Sequence, residues 1–289
     1  MKKTQEEFTL RQFMVERYYE YHHYINISPP DIDFHQHPFY EIFVFLSGNA
    51  SYVIEGRTYK LRPGDILLTS NEDIHRPEVY TGKPYERFVI WLSSDFFDYI
   101  KDFGDDLSAC FTDASSKDYR LIRPSEHRFT KMKRLIDQLD RLREDSNMGS
   151  KALTHARIIE FLVQISRAYY DTADMVVSIS EDISEDNRIN QIVTYINEHL
   201  SEELSLDQIA DAFYLSKFYL SKRFKQYTGL SIYQYIMKKR LTVARNMLSE
   251  GVPVIEACNQ CGFGDYSNFL KAFKREFTCT PTSYMKQMQ

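Results

Sequence analysis

The sequence predicts an α+β protein of more than one domain. An N-terminal β-barrel carrying an αα-hairpin is followed by an all-α domain of two helix-turn-helix units joined by a long helix. Three observations carry this. Between residues 39 and 69, short apolar runs are separated by turn dipeptides. From about residue 124 the apolar spacing becomes helical. Residues 220–235, LSKRFKQYTGLSIYQY, are matched forty-nine positions later by 269–284, FLKAFKREFTCTPTSY, with Phe224-Lys225 on Phe273-Lys274, Ser231 on Thr280 and Tyr235 on Tyr284.

In the first part, strands are expected at 40–46 (YEIFVFL), 50–55, 58–61, 66–68 and 88–92. Gly48-Asn49 and Gly56-Arg57 supply turns, and Pro63-Gly64-Asp65 a third, because glycine and asparagine tolerate positive φ and proline pre-sets a turn. Short strands at this spacing suggest a sandwich or barrel. Met132, Leu135, Ile136, Leu139 and Leu142, then Ile158, Phe161, Leu162 and Ile165, fall at helical spacing around Asn147-Met148-Gly149. They predict an αα-hairpin whose apolar stripes pack on the barrel or on a second subunit. Residues 172–186 hold five acidic residues, no basic ones and several serines, the composition of a linker.

The chain has 289 residues, 43% hydrophobic and 27% charged, an ordinary globular composition. MKKTQEEF lacks the apolar stretch of a secretory signal, and the longest apolar run, Ile42 to Leu46, is too short to span a bilayer. A cytoplasmic location and no membrane partner are expected. Four cysteines make no disulfide framework in a chain this long. Cys258-x-x-Cys261 lacks further zinc ligands nearby and reads as two small buried thiols. The net charge of −5 is uneven: residues 187–289 hold 13 Lys and Arg against 9 Asp and Glu, while the remainder holds 23 basic and 32 acidic residues. A basic end on an acidic partner domain fits nucleic-acid binding.

Within that end, Ile189, Ile192, Val193 and Ile196 mark a first helix. Ser205-Leu-Asp-Gln208 is a capping box opening a second helix, to Phe213. Ser216 caps a third, in which Leu220 and Phe224 face inward. Lys217, Phe218, Ser221, Lys222 and Lys225 face outward, a surface of cations and small polar groups that suits the major groove and its phosphates. In the second copy Pro253 starts a helix, Gly262 makes the turn, and a helix from Tyr266 turns Phe269 and Phe273 inward. Tyr266, Ser267, Leu270, Lys271 and Lys274 are expected outward. Ser231 to Ser249 reads as one helix with Tyr235, Leu241, Ala244 and Leu248 inside. Nineteen residues span about 28 Å, against about 34 Å between successive major-groove faces.

LDQIADAFYLSKFYLSKRFKQYTG with KKRLTVARNMLSEG, and CGFGDYSNFLKAFKREF followed by Thr280-Pro281, resemble the AraC/XylS family of transcription regulators. The resemblance covers about a hundred residues. It implies a seven-helix DNA-binding domain, usually in an activator, behind a variable effector domain. Ala257-Cys258, Thr278, Met285 and Tyr214 depart from the family's usual residues. By the family pattern Phe218, Ser221 and Lys222, then Ser267, Leu270 and Lys271, approach bases. The resemblance implies an effector-binding and dimerisation domain at 1–171, the linker at 172–186 and a DNA-binding domain at 187–289.

His35-x-His37-x₃-Glu41-x₆-Gly48 also matches the first motif of the cupin barrels, and His75 sits where their second motif places its histidine. Ser70, Glu72 and Val79 depart from the rest of that second motif. His35, His37, Tyr40, Glu41, His75 and Trp91 are therefore the candidate effector-binding residues of a cupin-like barrel, with Tyr40 and Trp91 as stacking surfaces. Two His and a carboxylate with a further His suit a transition metal, and a metal-dependent cupin enzyme with a DNA-binding tail is the alternative. A constitutive DNA-bending protein is a third reading. The leading expectation is a regulator and no enzyme, with no cofactor and no resident metal. Its expected partners are double-stranded DNA, RNA polymerase, a small effector such as a sugar, and a second copy of the chain.

Overall fold

The computed structural model describes residues 11–27, 32–80, 82–116, 119–171, 183–184 and 187–288. The chain divides into two compact units, one of residues 1–54 with 58–184 and the other of 55–57 with 185–289. The MKKTQEEF segment and all of the expected linker except Ile183–Ser184 lie outside the described residues.

The first unit is built on β1 (Tyr19–Asn26), β2 (Tyr40–Ser47), β3 (Ala50–Ile54), β4 (Arg57–Lys60), β5 (Ile66–Thr69), β6 (His75–Val79), β7 (Tyr85–Leu92), β8 (Leu121–Ile122) and β9 (Ile183–Ser184). One sheet has the order β1-β7-β2-β5-β8 and the other β6-β3-β4-β9. The pairs β1–β7, β2–β7, β2–β5, β5–β8, β3–β6 and β4–β9 are antiparallel. The two-residue β9 pairs with Thr58 and Tyr59, so part of the stretch read as linker belongs to the sheet.

Side chains alternate along a strand, and here the alternation separates two cores. Ile42, Val44, Phe88, Ile90 and Leu92 point out of the five-stranded sheet into a cluster with α1 (Ser94–Lys101), α2 (Ala109–Ser116), α3 (Glu126–Arg143) and α4 (Ser150–Tyr170). Phe43, Phe45, Val89 and Trp91 point inward, against Tyr52, Ile54 and Tyr59 of the second sheet. α3 and α4 are the expected hairpin; Met132, Leu139, Ile158, Phe161, Leu162 and Ile165 are fully buried against the sheet side. Each such side chain contributes roughly 1.5–3 kcal/mol.

The second unit has seven helices among its described residues: α5 (Asn187–Glu198), α6 (Leu206–Ala212), α7 (Lys217–Thr228), α8 (Ile232–Ser249), α9 (Val254–Gln260), α10 (Tyr266–Phe277) and α11 (Pro281–Met288). Ser205 and Ser231 each close a complete capping box, on Gln208 and Gln234. Pro253 is the N-cap of α9 rather than its first helical residue, with extended ψ of 141°. Along α8, Tyr235, Leu241, Ala244 and Leu248 are all buried, as expected. No helix of the described residues is long and apolar enough to cross a membrane.

Candidate functional sites: a barrel cavity and two exposed helix faces

The barrel cavity is set up by strand register. Glu41 and Trp91 are direct partners across β2 and β7, so both point inward. The Trp91 indole N–H donates to Glu41 Oε2 at 2.8 Å and the Tyr52 hydroxyl donates to Oε1 at 3.2 Å. The wall includes Arg11, Tyr24, His35, His37, Tyr85 and Arg87 besides Glu41, Tyr52 and Trp91. The Arg11 guanidinium sits 5.3 Å from the centre of the Trp91 ring. The cavity holds about 60 Å³, and about 530 Å³ of empty space once its crevices and mouth are counted. The smaller figure is room for about four waters.

Three histidines converge at one side of this cavity. The amides of His35 and His75 donate to each other's carbonyls at 3.0 and 2.9 Å, a backbone bridge that fixes their rings 4.3 Å apart, centre to centre. The His37 ring stacks on Phe39 at 3.8 Å and lies 4.8 Å from His75. Each Nδ1 meets a backbone carbonyl: that of Asp33 for His35 at 2.9 Å, of Phe39 for His37 at 2.9 Å, and of Asp73 for His75 at 3.0 Å. A carbonyl only accepts, so each Nδ1 carries a proton. Burial, then the neighbouring His35 and His37, push His75 well below the usual histidine range and keep it neutral. Burial alone would raise Glu41, but the His37 ring beside it brings its carboxyl down to about 2.

Asp73 also holds the loop that carries His75. Its carboxylate accepts from Arg120 at 2.8 and 3.2 Å and from the Ser70 amide at 2.8 Å, all of it buried.

Of the residues expected in the pocket, His35, His37, Glu41 and Trp91 line the cavity, and His75 stands beside His35 and His37 without lining it. Tyr40 must be corrected. One residue before inward-facing Glu41, it points the other way, packing edge-on against Phe97 and Phe111 in the helical layer at 5.0 and 5.3 Å. Tyr52, Tyr85 and Arg87 were missed. Arg87 had a signal, as the one cation inside FVIWL's strand, YERFVIWL; it is buried, with Tyr24 and Tyr85 rings 4.8 and 4.5 Å from its guanidinium carbon.

The second candidate site is the outward side of α7 and α10. Ser216 caps α7 by accepting from the Tyr219 amide, and Asp265 caps α10 by accepting from that of Asn268. Leu220, Phe224, Phe269 and Phe273 are fully buried. Lys217, Phe218, Ser221, Lys222 and Lys225 are exposed on α7, and Tyr266, Ser267, Lys271 and Lys274 on α10. Phe218 is 79% exposed and Tyr214, in the preceding turn, 96%. Lys217 is already paired, its ammonium 2.7 Å from Asp207. Leu270 departs from expectation: it is half-buried and packs on the core of the second helix-turn-helix. It lies three residues before Phe273, on the edge of the same apolar stripe.

A barrel with a cavity lined by aromatic and apolar side chains and a few polar groups, joined in one chain to paired helix-turn-helix units, defines the class of a ligand-binding DNA-binding protein. Comparison with known proteins agrees. Residues 20–162 match the AraC-like ligand binding domain, and residues 209–287 match a helix-turn-helix domain. The chain is 26% identical over 249 residues to the HTH-type transcriptional activator RhaS of Enterobacter sp. (strain 638), covering 86% of this chain and 85% of that protein. It is also 26% identical over 261 residues to RhaS of Escherichia coli (strain SMS-3-5 / SECEC), covering 87% of each. Among solved structures, the C-terminal domain of the two-component response regulator yesN from Fusobacterium nucleatum is 28% identical, covering 35% of this chain and 99% of that one, with a TM-score of 0.34. The chain belongs to the AraC-type transcription regulators.

Proposed function

We propose that this protein is a transcription activator and no enzyme. It binds a small effector, a sugar or related metabolite, in the barrel cavity and reads DNA with α7 and α10. The observation that carries the reading is the combination, in one chain, of a cavity lined by His35, His37, Glu41 and Trp91 with two capped helices whose outward faces carry Lys222, Lys225, Lys271 and Lys274. The relatives named activators support the direction of regulation. Aromatic faces beside carboxylate and imidazole groups suit a hydroxylated ligand, and a guest of sugar size requires the cavity walls to part. Homodimerisation through the first domain (residues 1–171), an acidic linker at 172–186, DNA binding by 187–289, contact with RNA polymerase and a cytoplasmic location complete the proposal.

Thermal-shift measurement across a panel of sugars and sugar acids tests the effector half. A stabilising ligand is expected, and its shift should be lost in Glu41→Ala and Trp91→Ala. A shift that both variants retain would place the effector elsewhere.

A further inference from the structure

The barrel cavity holds a buried cation that none of the sequence-predicted residues supplies. Tyr85, Arg87, Val89 and Trp91 alternate along β7, and all four face the cavity. Arg87 is 3% exposed, and its guanidinium lies against the rings of Tyr85 and of Tyr24, its direct partner on β1. Its Nη1 donates to Asn26 Oδ1 at 2.7 Å, an amide that fixes the fork without bringing a charge. Burial pushes Arg87 below its ordinary value, the direction in which a cation away from water gains from an anion. The Tyr85 hydroxyl is fully buried in the same wall and makes no hydrogen bond among the described residues. Buried polar atoms are nearly always partnered, and an exception calls for a water, an ion or a function. Arg11, the other cation of the wall, is paired with Glu20. Glu41, the wall's one acid among the described residues, accepts from the Trp91 indole and the Tyr52 hydroxyl.

We propose that the effector is a small carboxylic acid, of the hydroxy-acid or sugar-acid kind, whose carboxylate pairs with the Arg87 guanidinium and accepts from the Tyr85 hydroxyl. This rests on the effector-binding reading above and gives that effector its chemical class. A guanidinium is a planar fork that meets a carboxylate through two parallel hydrogen bonds. A neutral polyol brings no charge to the fork, so its hydrogen bonds there are the weaker kind. Tyr24, Phe43 and Val89, beside Arg87 on the wall, cover the carbon skeleton. Room for about four waters admits a short hydroxy acid as the cavity stands, and a sugar acid once the walls part.

The test uses the full chain and matched pairs of acid and neutral compound at equal sodium concentration and ionic strength. Lactate is set against propane-1,2-diol, gluconate against glucitol and galacturonate against galactose, with melting temperature and titration calorimetry as readouts. At least one acid is expected to raise the melting temperature and to bind more than about tenfold tighter than its neutral counterpart. Tyr85→Phe should weaken that acid by about tenfold. It should not lower the ligand-free melting temperature, because the hydroxyl it removes bonds nothing among the described residues. Arg87→Lys keeps the charge and loses the fork, and should weaken the acid at least as much. Tyr85→Phe keeps the test sound if Arg87→Lys does not fold. A neutral compound bound as tightly as its acid, or an acid affinity unchanged in Tyr85→Phe, would overturn the carboxylate assignment and leave the effector reading standing. Failure of every compound to bind would overturn both.

Discussion

At the scale of single residues, backbone conformation gives two opposite predictions in one helix-turn-helix. Gly262 has φ +82°, and a Cβ there would come within 2.3 Å of the Leu200 carbonyl oxygen. That loop cannot yield easily, since Arg240 already donates to the same carbonyl at 2.8 Å. Gly262→Ala is therefore expected to destabilise by more than about 2 kcal/mol, combining left-handed strain with overpacking. Thr278, by contrast, holds φ +60° at the end of α10, where Gly229 serves α7. Thr278→Gly should stabilise by about 0.5–1 kcal/mol. Chemical denaturation of both variants checks the signs, and a neutral Gly262→Ala would contradict the close approach. The cysteines give a third prediction. Burial pushes Cys110 to about 11 and Cys261 to about 12, and raises Cys258 as well, so little reactive thiolate forms near pH 8. Cys279, only half-buried, should be alkylated first by iodoacetamide. Mass spectrometry of the folded protein should find the other three thiols blocked only after denaturation. Rapid labelling of Cys261 would mean that α9 opens on its own.

At the scale of elements, the duplication is closer than the sequence alone indicated. α7 and α10 are both twelve residues long and start forty-nine positions apart, as do α8 and α11. Phe224 meets Tyr235 edge-on at 5.4 Å, and Phe273 meets Tyr284 the same way at 6.0 Å. α6 and α9, however, are forty-eight apart, as are the positive-φ residues Tyr214 and Gly262. The second turn therefore carries one extra residue. Periodicity exposed the long helices and the apolar strands because their buried faces are uniform. It did not expose β1, YEYHHYIN, in which Glu20, His22 and Tyr24 face one way and Tyr19 and Tyr21 the other, so neither face is purely apolar. β6 was hidden by Pro77, and α1 and α2 by their eight-residue length. The same limit misplaced Tyr40: the apolar run YEIFVFL hides its alternation, and only the pairing of Glu41 with Trp91 sets the phase. On the outward faces, Lys222 and Lys271 lie forty-nine apart and are both exposed. If each neutralises one phosphate, Lys222→Ala and Lys271→Ala should each weaken DNA binding and lower the slope of log K against log salt by about 1. Gel-shift titrations over several salt concentrations would show this; two unchanged slopes would move the DNA-facing surface off α7 and α10.

At the scale of the whole molecule, a regulator must make one binding event depend on another. If an effector in the cavity changes DNA affinity by some factor, DNA must change effector affinity by the same factor, because the two are linked through one set of states. Such couplings amount typically to a factor of 5–150, and a ligand can shift the chain only by its differential affinity for those states. The variants separate the two events. Trp91→Ala removes the indole that fixes Glu41 in the cavity wall but leaves the exposed lysines of α7 and α10 unchanged, so DNA affinity without effector should stay within about twofold of the parent while the effector's influence disappears. Lys271→Ala should do the reverse, lowering DNA affinity while leaving the factor by which effector changes it intact. Measuring DNA affinity with and without effector, and effector affinity with and without operator DNA, closes the cycle. Equal factors in the parent and a factor of one in Trp91→Ala are expected. A factor of one in the parent itself would mean that the barrel does not control the reader and that DNA occupancy is constitutive.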